Sequence, residues 1–255
     1  AWNKVVFATF ILSVSAVSII VIYEITRTWN AHETYAEALE QQNQGHYIAA
    51  NNMLESVRWY KDADTLMENQ KYDVEHEYLS MADIGDVVDF GECNNGLLNT
   101  DGPIQWIVLK KENGRILLLS RDVLTSKKYN SLQESITWKD STLREWLNQT
   151  FYTEVFSPEE QDWIEEGQII NNDNEIYGTS AGENTVDKVF LLSDDEIDEF
   201  RQSGHLKEVS EWWWLRSPGQ ESDCAVRVST DGKLTLYRGA FVNRNGGVRP
   251  AMWVK

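Results

Sequence analysis

The segment Arg238-Gly239-Ala240-Phe241-Val242-Asn243-Arg244-Asn245 concentrates the side chains best suited to holding a ligand. Two guanidiniums, two carboxamides and an aromatic ring lie beside the pair Gly246-Gly247. Arginine and aromatic side chains are the types that dominate binding energy at recognition surfaces, and loops on a rigid scaffold are where such groups are displayed. Arg238, Phe241, Asn243, Arg244 and Asn245 are therefore the candidate ligand-binding residues; the alternative is an ordinary connection between final strands. A second set is acidic. Asp173, Glu175, Glu183 and Asp187 offer the hard oxygen ligands that Ca2+ takes, on the Asn-, Asp- and Gly-rich stretch 171–184. Carboxylates that are merely solvated are the alternative there. No other cofactor is expected. Cys93 and Cys224 lie about 130 positions apart, neither in a C-x-x-C nor in a zinc-ligand spacing. They are either one disulfide, if the domain lies outside the cytoplasm, or two ordinary buried thiols.

Catalytic signatures are lacking. There is no G-x-S-x-G elbow, no phosphate-binding glycine loop and no H-E-x-x-H. Of the four histidines, His32, His46 and His76 fall in or beside a helical stretch, which leaves His205 without histidine partners for a metal or acid–base site. A non-enzymatic protein is the expectation. The net charge of −18 argues against nucleic acid, whose binding needs a basic face to displace counterions, and against adhesion to anionic lipid headgroups.

The elements that must position these residues begin with a tryptophan run, Trp212-Trp213-Trp214-Leu215-Arg216-Ser217-Pro218-Gly219, and end with Gly246-Gly247-Val248-Arg249-Pro250-Ala251-Met252-Trp253. Between them, Cys224–Ser229 and Leu234–Tyr237 flank Asp231-Gly232, a strong hairpin signal because glycine tolerates the positive φ of a tight turn. Trp212, Trp213, Trp214 and Trp253 are expected to close a core, with Arg216 and Arg249 buried and their donors committed to carbonyls or carboxylates. Upstream, Val87–Phe90 reads as a strand, and Ile104–Lys110 and Ile116–Ser120 as a hairpin about Glu112-Asn113-Gly114. Asp140 or Ser141 caps a helix carrying Leu143, Trp146 and Leu147. Ser157-Pro158-Glu159-Glu160 and Ser193-Asp194-Asp195-Glu196 are helix starts with reciprocal glutamates. The second follows a strand Val189–Leu192 and is closed by Gly204.

Val5–Tyr23 carries no charge over nineteen residues, a helix of about 28 Å that matches a hydrocarbon core. Lys4 and Glu24 bracket it, with Trp2 and Tyr23 at interfacial positions. An uncleaved anchor is preferred to a signal peptide, since cleavage after Val14-Ser15-Ala16 leaves seven more apolar residues. The start at Ala1 implies upstream removal. Lys4 places the N-terminal side in the cytoplasm, giving a single-pass cell-membrane protein with an extracytoplasmic C-terminal domain. The alternative is an extracellular filament of pilin type, in which like helices pack on one another; Lys4, and Val5 where many pilins carry glutamate, speak against it. Small residues on more than one face (Ala8, Ser15 and Ser18; Thr9, Ser13 and Ala16) leave self-association open. From His32 to Tyr72 the pattern is helical, with Tyr35, Ala38 and Leu39 on one face and Gly45 as an interruption. The expected architecture is α+β: a hydrophobic helix over 1–26, a helical spacer over 27–80 and a mixed domain over 81–255.

Four separated segments carry a resemblance: WWWLRSPG, GGVRPAMW, Thr185–Ser193 (TVDKVFLLS), and Ser141–Asn148 (STLREWLN) followed by Phe151 and Phe156. With these segments spread over roughly 81–255, the chain resembles a bacterial extracytoplasmic family of unknown function, itself remotely similar to the formylglycine-generating-enzyme branch of the C-type lectin fold. The resemblance implies a lectin-like α+β domain and brings no activity with it. The cysteine pair of formylglycine-generating enzymes is not carried over, because Cys93 and Cys224 lie outside the shared segments. The EPN and WND triplets of sugar-binding C-type lectins are absent, which counts against Ca2+-dependent sugar binding. In lectin-like relatives the region of 238–245 faces the ligand, so a protein or glycan ligand is the implied partner. Gly45-x-Tyr47-x-x-Ala50 with Tyr60-Lys61-Asp62-Ala63 resembles one tetratricopeptide-like hairpin, a unit that needs neighbours to bury its apolar face.

Overall fold

The computed structural model describes residues 2–204, 209–230 and 238–255, with the backbone alone for 2–16 and Ser203. The chain divides into two compact units, Ala1–Met81 and Ala82–Lys255.

In the first unit, one helix, α1, runs from Trp2 to Asn43. Gly45 ends it with φ of +80°, a conformation that costs other residues a steric clash. Helices α2 (Tyr47–Ser56), α3 (Ala63–Asn69) and α4 (Lys71–Met81) follow. The interior predicted from Tyr35, Ala38 and Leu39 is present: Ala31, Tyr35 and Ala38 of α1 pack with Leu54, Val57 and Ala63, and Leu39, Tyr60 and Leu66 close over them. The Tyr35 hydroxyl donates to Asp62 at 2.5 Å. This bond, with burial and the carboxylate charge, pushes the phenol up to about 12. Among the described residues no helix is long and apolar enough to cross a membrane; the greater part of the run Val5–Tyr23 has its side chains outside the described set.

The second unit is built on antiparallel hairpins, giving an α+β architecture. The first sheet contains β1 (Val87–Cys93), β2 (Gly102–Glu112) and β3 (Arg115–Ser120). The β2–β3 turn is the predicted one, with Asn113 and Gly114 at φ of +53° and +79°, the two consecutive positive values of a type I′ turn. Strand β4 (Thr125–Lys128) belongs to a second sheet. Helix α5 (Thr142–Trp146) is capped by Ser141, whose hydroxyl accepts from the Arg144 amide. A π-helical turn, Leu147–Phe151, then leads into α6 (Tyr152–Val155), with α7 (Pro158–Gln161) after it. Short strands β5 (Ile164–Glu165), β6 (Gly167–Ile169) and β7 (Thr185–Asp187) precede α8 (Asp194–Ser203). Both predicted capping boxes form, at Ser157 with Glu160 and at Ser193 with Glu196, and Gly204 closes α8 in the left-handed conformation.

Strands β8 (Trp213–Pro218), β9 (Cys224–Val228), β10 (Ala240–Phe241), β11 (Asn245–Val248) and β12 (Ala251–Val254) complete the sheets. Their orders are β1-β2-β3-β12-β5 and β10-β9-β8-β11-β4, with β6 and β7 paired apart. β11 and β12 are separated only by Arg249-Pro250 yet lie in different sheets, so the chain changes sheets there. β3 and β4 make the same change alongside. Arg249, wholly buried, secures the crossing: its Nε donates to the Ser120 carbonyl at 2.8 Å and its Nη2 to Arg121 at 3.1 Å. Burial pulls its guanidinium down to about 10.

Two sequence expectations need correction. Val189–Leu192 is not a strand; Phe190 makes only an isolated bridge to Ala251. An apolar run buried on all sides fits either a strand or an irregular core segment. Here side chains flank that single bridge: Asn148 takes the Lys188 and Val189 amides and the Val189 carbonyl, and the Arg216 side chain takes the Leu191 carbonyl. Trp213 and Trp214 are in the core, but Trp212 and Trp253 are only half-buried. Trp253 instead stacks beneath the Arg115 guanidinium at 4.3 Å. The hairpin expected at Asp231-Gly232 is present in its first strand, β9; its turn and Leu234–Tyr237 lie outside the described residues, as does His205.

Candidate functional site

The candidate loop is fixed by close backbone packing at β10, the last described strand on one side of the second sheet. β10 pairs with β9, setting Ala240 opposite Ala225 and Phe241 opposite Cys224. Gly239 makes this approach possible. It sits at φ of +74°, and a Cβ there would meet the Ala225 carbonyl oxygen at 2.2 Å. Gly219 does the same from the other side, where a Cβ would lie 2.6 Å from the Arg238 carbonyl oxygen. That carbonyl accepts from the Gln220 amide at 3.0 Å. Val242 is buried beneath the loop and its amide donates to the Asp223 carbonyl.

This arrangement encloses a surface cavity of about 330 Å³. Arg238, Phe241 and Arg244 line it, and β9 adds Arg227 and Cys224. Phe241 is 41% exposed and lies under the Arg244 guanidinium at 5.7 Å. Arg227 stacks over Trp212 at 4.9 Å. The structure thus brings three of the five candidate residues together. Asn243 is half-buried and Asn245 is exposed in β11 opposite Lys128; neither lines the cavity. Arg227 was missed in the sequence because it stands in the apolar run Ala225–Val228; a charge inside such a run is the signal that could have found it. Cys224 contributes no nucleophile at neutral pH, because burial and the adjoining Asp223 carboxylate push its thiol up to about 11.

A family model described as a domain of unknown function, DUF6273, matches residues 113–255, more than half of the chain. The chain belongs to this family. No curated protein and no solved structure matches it. The DUF6273 region begins in the β2–β3 turn and contains the whole cavity together with all four motif segments.

Inside the DUF6273 region those motifs form structural nodes. Asp187 was a candidate metal ligand, but it is 1% exposed and its oxygens are already engaged. Trp138 Nε1 and Thr185 Oγ1 donate to one oxygen at 2.9 and 2.8 Å, and Arg144 Nε donates to the other at 2.6 Å. Asp173 accepts the Ala181 amide, shaping the loop, and Glu183 pairs with Lys139 at 2.5 Å. Glu175 is exposed. Asp173, Glu175, Glu183 and Asp187 are therefore not gathered as ligands, and the described residues hold no group of three or more metal-ligating side chains. Cys93 and Cys224 are both free thiols, so the disulfide alternative is set aside. Arg216, 5% exposed, makes a two-pronged ion pair with Glu196 at 2.5 and 3.0 Å and donates to the Leu191 and Ile170 carbonyls. Arg216 and Arg249 are thus both buried, with donors on backbone carbonyls and, for Arg216, on a carboxylate.

Proposed function

We propose that this DUF6273 chain is a non-enzymatic recognition or scaffold protein, anchored in the cell membrane and displaying a C-type-lectin-like domain outside the cytoplasm. The observation that carries the reading is the convergence of Arg238, Phe241 and Arg244 on one open cavity beside β10. Arginine and an exposed aromatic are anchor types, and rigid strands beneath them supply preorganisation. Anchoring is supported by α1. Ile19, Ile20, Ile22, Tyr23 and Ile25 are each at least 60% exposed, as is Trp29. Each large apolar side chain forfeits about 1.5–3 kcal/mol in water relative to an apolar environment, so the segment belongs in lipid or in a bundle of like helices. Trp29 and Trp59, with Arg27 stacked over Trp59 at 4.1 Å, suit a headgroup layer. A glycan and surface-protein array, probed with the parent and with an Arg238→Ala/Phe241→Ala/Arg244→Ala variant, tests the proposal: a ligand held by the parent and lost by the variant supports it, and equal retention by both sinks it.

A filament subunit is the second reading, favoured by the unbroken course of α1 from Trp2 to Asn43. Negative-stain microscopy separates the two. Detergent-dependent single particles support the anchor, and regular lipid-free filaments support the subunit.

A further inference from the structure

We propose that the cavity between β9 and β10 binds a compact anionic group, carboxylate or phosphate, gripped by Arg227, Arg238 and Arg244 and carried on a ring that lies against Phe241. This rests on the reading of the cavity as a ligand site and names the ligand's chemistry.

The chain has eleven arginines among 41 acidic residues. Seven of them, Arg27, Arg58, Arg115, Arg121, Arg144, Arg201 and Arg216, are ion-paired with a carboxylate. Arg249 gives its donors to backbone carbonyls. Among the described residues the other three make no ion pair, and all three line this one cavity. A shortage of carboxylates cannot explain that. Glu221 lines the cavity too and pairs with none of them.

Three guanidiniums around one cavity repel one another, and an anion between them turns the repulsion into attraction. The planar guanidinium fork matches carboxylate and phosphate oxygens two at a time. Arg227 is half-buried, its guanidinium lies over the Trp212 ring, and its Nε is buried without a hydrogen-bond partner. A low-dielectric wall of this kind strengthens attraction at contact distance. That short-range attraction is needed, because the −18 chain repels anions from afar. Phe241 is exposed beside Arg244 and offers a face to the ring or apolar body bearing the charge.

The test is calorimetric titration of the full chain in neutral detergent with D-glucuronate, D-glucose and inorganic phosphate. Glucuronate or phosphate binds, and glucose binds at least about tenfold more weakly, the equivalent of one charge-assisted hydrogen bond. Binding of glucuronate alone assigns the carboxylate source, and binding of phosphate alone assigns the phosphate source. Arg227→Gln, Arg238→Gln and Arg244→Gln each weaken anion binding about tenfold. Arg238 and Arg244 are exposed, so their variants keep the test independent of folding; a melting curve accompanies Arg227→Gln, which also loses its stacking on Trp212. The proposal is overturned if glucose matches glucuronate, if anion binding survives the three variants, or if neither anion binds. A neutral array ligand that depends on Arg238, Phe241 and Arg244 would overturn the anionic assignment while leaving the recognition reading intact. Failure of both the array and the titrations removes both.

Discussion

Replacing Arg216 by alanine removes more hydrogen bonds at one stroke than most single changes in this fold. The guanidinium is 5% exposed and donates to two backbone carbonyls, Leu191 and Ile170, and to both oxygens of Glu196. The two carbonyl bonds are charge-assisted, worth about 1.5–3 kcal/mol each where both partners stay dry. Water entering the space left by the side chain recovers part of that. Glu196 is a third exposed and keeps its bond to the Ser193 amide, so its orphaned carboxylate is partly relieved by solvent. The expected net loss is about 2–4 kcal/mol, below the about 5 kcal/mol that marks a fully dry pair. For a unit of this size that lowers the melting temperature by about 4–16 °C. Urea unfolding followed by tryptophan fluorescence reads it directly, since Trp213 and Trp214 are buried beside Arg216 in β8. Arg216→Lys keeps the charge and loses the fork, and should fall between parent and alanine. A double-mutant cycle with Glu196→Gln should show coupling of about 1–2 kcal/mol. If Arg216→Ala melts within about 1 °C of the parent while ligand binding collapses, the residue is functional and the structural account fails.

Asp187→Ala orphans Trp138 Nε1 and Thr185 Oγ1 and breaks the Arg144 pair, so it should cost about 3–5 kcal/mol in the same unfolding assay. Added Ca2+ should leave the parent's midpoint in place, and a Ca2+-dependent rise that Asp187→Ala abolishes would restore the metal reading. Thiol titration in denaturant without reductant should count two reactive cysteines; in the native state Cys93 should be protected by burial and Cys224 slow, its thiol being held up at about 11. Tyr35 has its folded value raised to about 12, so the unfolded chain loses that proton first once pH passes about 10. The stability this tyrosine contributes is complete below about 10 and declines as pH rises towards 12. Helical circular dichroism of parent and Tyr35→Phe across that window should show the smaller decline in the variant, and identical slopes would refute it.

The features legible in the sequence are those whose cause is local. A hydroxyl three residues before a glutamate specifies a capping box whatever surrounds it, and both predicted boxes form. Asn113-Gly114 closes a two-residue turn because both residues tolerate positive φ. Arg216 and Arg249 read as buried because each stands among apolar residues next to a proline or one removed from it. Long-range causes were hidden. Val189–Leu192 has the composition of a core strand, and residues distant in sequence satisfy its backbone without a ladder: Asn148 at Val189, Ala251 at Phe190, and Arg216 at Leu191 and Leu192.

The carboxylates show the same division. On paper Asp173, Glu175, Glu183 and Asp187 are equivalent oxygen donors, and nothing in their spacing marks Asp187 as the one that sinks into the core. Three donors from Trp138, Arg144 and Thr185 determine that, two of them more than forty positions away. The candidate loop divides by the same rule. Composition found Arg238, Phe241 and Arg244, but it could not exclude Asn245, which β11 pairing sets opposite Lys128, or the half-buried Asn243, neither of which lines the cavity. Nor could it add Arg227, which reaches the cavity only because Gly239 and Gly219 let two backbones close on the end of β9. A binding residue in a loop announces itself by type, whereas one in a strand is betrayed only by being the wrong type for its neighbours. Arg227 among Ala225, Val226 and Val228 is such a case. Its charge in that setting lowers the stability of β9 unless something else repays the cost, and an anion in the cavity is the partner that would do so.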